Sequence, residues 1–135
     1  KLEITESLIM ADPDAAIDML AQLKALKVLA AIDDFGTGYS SLGYLHRFPV
    51  ETIKVDRSFV SAMRSEDRDD GEIVRAIVSL AHSLGLAVIA EGVESEHQVK
   101  RLRELGCQYA QGFFFSRPLS SDSAASYVAE QARLA

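Results

Sequence analysis

Cysteine is almost absent from this sequence: Cys107 is the single example. One thiol excludes an intrachain disulfide and the cysteine clusters of structural zinc sites, and Cys107 reads as a small buried hydrophobe. No apolar run approaches the roughly 18 residues that span a bilayer. No signal-peptide pattern opens the chain. The expectation is a cytoplasmic location, with any membrane anchoring left to other parts of a larger protein. Positive charge is also scarce, since 14 Lys and Arg face 20 Asp and Glu for a formal net charge of −6. That balance disfavours a DNA or RNA polymer as partner, which needs a basic face. It equally disfavours a polybasic membrane-surface module. Internal repeats, low-complexity tracts and an interdomain linker are absent too.

What is present is ordinary globular composition, 48% hydrophobic and 25% charged over 135 residues, enough for one domain or a piece of a larger one. The order of elements carries more information. Leu2 to Thr5 reads as a strand. Asp12-Pro13 then opens a helix with a capping carboxylate and a proline in its first turn, followed by Ala16, Met19, Leu20, Leu23 and Leu26 at helical spacing. Val28 to Ile32 is a second strand running into Asp33-Asp34. A short helix from Ser40 to His46 ends before Pro49. Thr52 to Val55 is a third strand, followed by a short helix from Arg57 to Met63 and a polar stretch, Arg64 to Gly71, read as a flexible surface insertion. Ile73, Ile77, Leu80, Ala81 and Leu84 share a helix face that Gly85 closes. Leu86 to Ala90 is a fourth strand. Ser95 and Gln98 form a capping box for a helix with Val99, Leu102 and Leu105, closed by Gly106. A short strand from Gln108 to Ala110 and a helix from Ser120 to Leu134 complete the chain. Strands alternating with helices predict an α/β fold with a parallel sheet and right-handed crossovers.

Ligands of parallel α/β folds bind beyond the carboxyl ends of the strands. Glu3, Asp33, Asp34, Lys54, Glu91 and Gln111 all fall at or near such ends, so five successive strands deliver polar groups to one rim. A single one of these could be a solvated loop charge; the series is what argues for a site. Clustered carboxylates require protonation or cations. Their all-oxygen chemistry favours magnesium, manganese or calcium over zinc. Two such ions close together suit in-line displacement at phosphorus. Gly36-x-Gly38 lacks the third glycine of a dinucleotide loop and any Walker lysine, so it reads as a loop positioning metal ligands rather than as a phosphate cradle. His46, His82 and His97 show no ligand-like spacing.

Five blocks are similar to the EAL domain family, in that family's order: Leu2-Glu3-Ile4-Thr5-Glu6-Ser7, Ile32 to Leu42 with its Asp-Asp-Phe-Gly-Thr-Gly-Tyr-Ser-Ser core, Ile53-Lys54-Val55-Asp56, Ala90-Glu91-Gly92-Val93-Glu94, and Gln111 to Pro118. The resemblance implies the C-terminal half of a modified (β/α)8 TIM-type barrel, with about five parallel strands alternating with helices and residues 1–135 forming a partial EAL domain. It implies hydrolysis of cyclic di-GMP to linear pGpG with magnesium or manganese, in a two-ion site that calcium inhibits. Carried over by motif, Glu3, Asp33, Asp34 and Glu91 are metal ligands. Lys54 acts at the scissile phosphate or the attacking water, beside Asp34 and Glu91 as catalytic groups. Gln111 and Glu94 complete the polar shell, and Glu6 anchors the Asp34–Ser41 loop. The implied partners are cyclic di-GMP, a second copy of the domain in a homodimer, and fused GGDEF or sensory domains.

The chain contains no Glu-Ala-Leu motif and no asparagine, both of which the family uses as metal ligands on earlier strands. About five strands cannot close an eight-stranded barrel, so the expectation is part of a larger domain, inactive and poorly stable by itself. Lys27 stands where the family often has glycine. Two other functions compete. One is a catalytically inactive module that senses cyclic di-GMP or holds a protein partner. The other is an aldolase-like barrel with Lys54 as a Schiff-base lysine, disfavoured because neighbouring carboxylates keep the amine protonated.

Overall fold

In a computed structural model, residues 1–38, 42–63 and 71–134 are described. Five strands, β1 (Leu2–Thr5), β2 (Ala30–Phe35), β3 (Thr52–Val55), β4 (Ala87–Ala90) and β5 (Tyr109–Ala110), form one sheet in sequential order. Every neighbouring pair is parallel. The helices are α1 (Glu6–Ala11), α2 (Pro13–Ala25), α3 (Leu42–Leu45), α4 (Arg57–Ala62), α5 (Glu72–Ser83), α6 (Glu96–Glu104) and α7 (Ser121–Leu134). Parallel strands cannot be joined by hairpins, so a helical crossover joins each strand to the next and covers the sheet. The core is correspondingly central: Ile32, Ile53, Val55 and Val88 from the strands meet Leu20, Val60, Val74, Val78 and Ala81 from the helices, all buried.

The first and third strands have the bounds expected from sequence, and the second does not. β2 begins at Ala30 rather than Val28, because α2 ends in a left-handed turn. Lys27 has φ 61°, the Val28 amide donates to the Leu23 carbonyl, and the Lys27 amide donates to that of Lys24. This is the Schellman arrangement. α5 and α6 end with the same two bonds, but with Gly85 and Gly106 in the left-handed position. Lysine there explains why sequence gave no stop signal for α2.

Three further expectations are corrected. α1 was not anticipated; Asp12 separates it from α2, and its side chain accepts from the Ala15 amide as the cap of the second helix. Met19 and Leu26 are exposed, because α2 buries the face carrying Ala16 and Leu20. Ile73 is exposed as well, since the face that α5 turns inward carries Val74, Ile77, Val78 and Ala81 at the i, i+3, i+4, i+7 spacing. The helix expected from Ser40 is described from Leu42, and most of the polar stretch from Arg64 lies outside the described residues. The capping box on α6 is present, with the Ser95 hydroxyl accepting from the Gln98 amide. Among the described residues, no helix is long and apolar enough to cross a membrane.

Candidate active site

β3 is buried along its whole length, yet its third residue is a lysine. Burying an ammonium is costly unless it is paired, and Lys54 is paired three times. Its Nζ lies 2.7 Å from Glu3, 3.0 Å from Asp33 and 2.5 Å from Glu91. The partners come from β1, β2 and the residue after β4, so one cation ties together four adjacent strands. Burial by itself lowers the pKa of this ammonium, but the hydrogen bonds with Glu3, Glu91 and Asp33 outweigh burial and shift it upward. Three carboxylates thus favour the charged ammonium, which counts against the aldolase reading, since Schiff-base formation needs the free amine.

Asp33 and Asp34 are successive residues of a strand, and strand alternation would send their side chains to opposite faces. Two local features change this. The register of β2 against β3 shifts between Ile32 and Phe35, and Asp34 takes φ 53°, a left-handed conformation that aspartate tolerates better than most residues. The bulge re-aims one side chain. As a result, carboxylate oxygens of Asp33, Asp34 and Glu91 lie within 4.8 Å of one another. The Asp33 carboxylate is further fixed by the Asp34 amide at 3.1 Å. Sequence reasoning placed the two aspartates after the strand; they lie within it, in a bulge that the spacing did not disclose. Three convergent carboxylates offer hard oxygen donors at a separation suited to a magnesium- or manganese-sized ion. Glu3 lies outside this group; its carboxylate goes to Lys54, and half of its side chain is exposed.

Gln111, just beyond β5, donates to Glu91 Oε1 at 2.7 Å. The same oxygen receives Lys54, which fixes the orientation of that carboxylate. Glu94 lines the same open cleft as Glu91 and Gln111, about 770 Å³ in volume, with Arg57, Ser58, Ser61 and Arg117 on its walls. Sequence reading passed over Arg57, although its place two residues after β3 was an available signal. Glu6 is buried at the start of α1, and its Oε2 accepts the Gly36 amide at 2.8 Å. A Cβ on Gly38 would come within 2.9 Å of the same carboxylate, so Glu6 grips the start of the loop after β2. Tyr39 to Ser41 of that loop lie outside the described residues.

The family model of the EAL domain matches residues 1–118. The chain belongs to the EAL domain family. Among its relatives is the bifunctional diguanylate cyclase/cyclic di-GMP phosphodiesterase MucR of Pseudomonas aeruginosa, 48% identical over 95% of this chain and 18% of MucR. The cyclic di-GMP phosphodiesterase NbdA of the same organism is 50% identical over 88% of this chain and 15% of NbdA. The solved MucR phosphodiesterase, in complex with cyclic di-GMP, superposes with a TM-score of 0.86 over 91% of this chain and 50% of that one. Klebsiella pneumoniae BlrP1, solved with manganese and the same dinucleotide, is 38% identical with a TM-score of 0.77, over 87% of this chain and 30% of that one. The chain thus spans half or less of each of these proteins. Its five parallel strands superpose on EAL domains, whose architecture is TIM-barrel-like.

Proposed function

We propose that the protein carrying this EAL segment hydrolyses cyclic di-GMP to linear pGpG, and that residues 1–135 supply the C-terminal half of its catalytic domain. The observation that carries the reading is the convergence of Glu3, Asp33 and Glu91 on the Lys54 ammonium, each within 3.0 Å. Site residues scattered over the chain share one rim, as a phosphodiesterase centre requires. MucR, NbdA and BlrP1 support the substrate, since each is named for, or solved with, cyclic di-GMP.

Asp33, Asp34 and Glu91 would hold magnesium or manganese, with Glu3 joining once Lys54 turns to substrate. Such ions neutralise charge building on phosphorus and make water a better nucleophile near neutral pH. The chain's own groups have separable tasks. Lys54 presents a permanent positive charge to a non-bridging oxygen of the scissile phosphate. Glu91, oriented by Gln111, accepts a proton from the attacking water. Glu94 contacts substrate from the cleft wall. Glu6 holds the loop after β2 so that Asp34 keeps its left-handed conformation.

The wider reading has the protein acting in the cytoplasm as a homodimer, joined to cyclase-type or sensory domains as bifunctional MucR is, and inhibited by calcium. The test is turnover of cyclic di-GMP by the full-length protein with magnesium, beside an Asp33→Asn variant. Linear pGpG from the parent and its loss in the variant is the expected result. Tight binding without hydrolysis would move the assignment to nucleotide sensing.

A further inference from the structure

Gln98 does more than cap a helix. Its side chain is buried, at 7% exposure, and a capping box asks of it one bond, accepting the amide of Ser95. That bond is present at 3.1 Å. The same Oε1 also accepts the Glu94 amide, at a shorter 2.7 Å. The Nε2 group points the other way and donates to the Val60 carbonyl in α4 at 3.0 Å, across 38 residues of sequence. The cap needs neither of these two bonds.

Their effect is seen in the segment between β4 and α6, which has no regular structure of its own. Its first half is held by the sheet: the Glu91 amide donates to Val55, and the Val93 amide donates to Gln111. In its second half, the amides of Glu94 and Ser95 both donate to one oxygen of Gln98. The segment is also pressed against α4 at its start, where a Cβ on Gly92 would come within 2.6 Å of the Arg57 Cβ. α4 continues the strand bearing Lys54, and Glu94 sits in the cleft that Arg57, Ser58 and Ser61 of α4 also line.

We infer that Gln98 is a positioning residue for cyclic di-GMP turnover, clamping the Glu94 backbone to α4 so that the Glu94 carboxylate stays in the substrate cleft. The inference rests on the function proposed above and deepens it. Because Glu91 is held independently, loss of Gln98 releases Glu94 and leaves the Lys54 cluster intact.

The experiment uses the full-length protein, two Gln98 variants, Glu94→Gln and the Gln98→Met/Glu94→Gln double variant. Gln98→Met fills the volume but makes none of the three side-chain bonds. Gln98→Glu keeps the capping acceptor but loses the donor to Val60. Hydrogen exchange at the Glu94 and Ser95 amides is read first, with no need for turnover. In Gln98→Met it should rise at both, while the Glu91 and Val93 amides stay protected. Kinetics on the folded fraction should show kcat/KM falling about tenfold or more, the scale of a modest misplacement in a site. Gln98→Glu should also lose activity despite its intact cap. Adding Gln98→Met to Glu94→Gln should cost nothing further. Unchanged exchange at Glu94 overturns the clamp whatever the activity. Raised exchange with wild-type kinetics, or a Gln98→Glu enzyme as active as wild type, reduces Gln98 to a cap. A wild type that binds cyclic di-GMP without hydrolysing it removes the catalytic reading alone, and the clamp is then judged by dissociation constants of the same variants. A wild type that neither binds nor hydrolyses removes both.

Discussion

The Lys54 ammonium lies 2.5 Å from the Glu91 carboxylate, the shortest of three contacts that this one cation makes with acidic groups from other strands. The cluster stays net negative, so Lys54 only partly relieves the repulsion, and divalent ions would relieve the rest. Replacing Lys54 with methionine keeps the buried stem and removes the charge. Without added metal, the variant should lose about 3 kcal/mol of stability, the cost of breaking a buried ion pair. Magnesium should restore a large part of this by binding the folded state, yet turnover should stay about a hundredfold down. Urea melts of the full-length protein with EDTA and with magnesium, beside a turnover assay, check both. Equal melts with EDTA would mean that the cluster does not depend on Lys54.

Asp33→Asn separates charge from shape at the centre of the cluster. An asparagine oxygen can still accept from the Asp34 amide and from Lys54, the two contacts that Asp33 makes. The fold should therefore survive with little change in melting temperature. The variant should bind magnesium or manganese more weakly and turn over at least about a hundredfold more slowly, because a carboxylate proposed to hold the metal has become neutral. Isothermal titration with manganese and a turnover assay are the measurements. Retained activity would exclude Asp33 as a ligand.

Much of this was legible in sequence, because strand–helix alternation dictates which residues share a rim. Glu3, Lys54, Glu91 and Gln111 were found from their places near strand ends, and Lys54 brings Glu3, Asp33 and Glu91 together. The details set by backbone conformation were not legible. Nothing in Ile32-Asp33-Asp34-Phe35 announces a bulge or a left-handed aspartate, since both depend on register with β3. The capping box showed that Gln98 would close on Ser95, but its bond to Val60 joins positions 38 residues apart that only the folded chain brings together. Ile73 was misplaced for a simpler reason: an apolar residue beside an apolar stripe looks like part of it until the helix phase is fixed.

Gly112 tests how tightly the rim is assembled. A Cβ there would lie 2.1 Å from the Val93 carbonyl oxygen and 2.3 Å from its nitrogen, and backbone cannot yield as a flexible side chain can. The same Val93 amide donates to Gln111, whose side chain orients Glu91. Gly112→Ala should therefore destabilise by about 1–3 kcal/mol through overpacking and lower turnover with it. Melting temperature and kcat measured together on the full-length protein decide this. An alanine variant with wild-type values for both would show that the Val93 segment moves freely.

Asp56 gives the stability a defined acid dependence. It caps α4, accepting from the Ser58 amide at 2.9 Å and from the Ser58 hydroxyl. Partial burial pushes its carboxyl up, but the bonds from Ser58 and Arg57 and the Arg57 charge more than compensate, leaving it below the usual aspartate range. A native pKa below the unfolded one means that the proton favours the unfolded chain. The stabilisation is complete above the unfolded value, near 4, and is lost as pH falls through the lower native value. At pH 7, Asp56→Ala should cost about 1 kcal/mol, the usual worth of such a cap. The gap between variant and wild type should close as the pH drops below about 4. Denaturant melts at pH 7, 5 and 3 follow it, and a gap constant with pH would mean that the Asp56 carboxyl is not held below its unfolded value and that the cap does not depend on its charge.

Lys27 offers the opposite kind of change, a gain. It holds φ 61° in a cap whose counterparts on α5 and α6 use Gly85 at φ 71° and Gly106 at φ 83°. A side chain in this conformation costs about 1–2 kcal/mol, and glycine gives back part of that through the freer unfolded chain. Lys27→Gly should raise stability by about 0.5–1 kcal/mol without touching activity, because Lys27 precedes the first residue of β2 while Asp33 and Asp34 lie towards its other end. Gly85→Ala is the mirror experiment. Nothing lies within 4 Å of its would-be Cβ, so any loss, expected near 1 kcal/mol, comes from backbone conformation and not from crowding. If both substitutions left the melting temperature unchanged, the left-handed caps would not be strained, and lysine at the end of α2 would need no explanation.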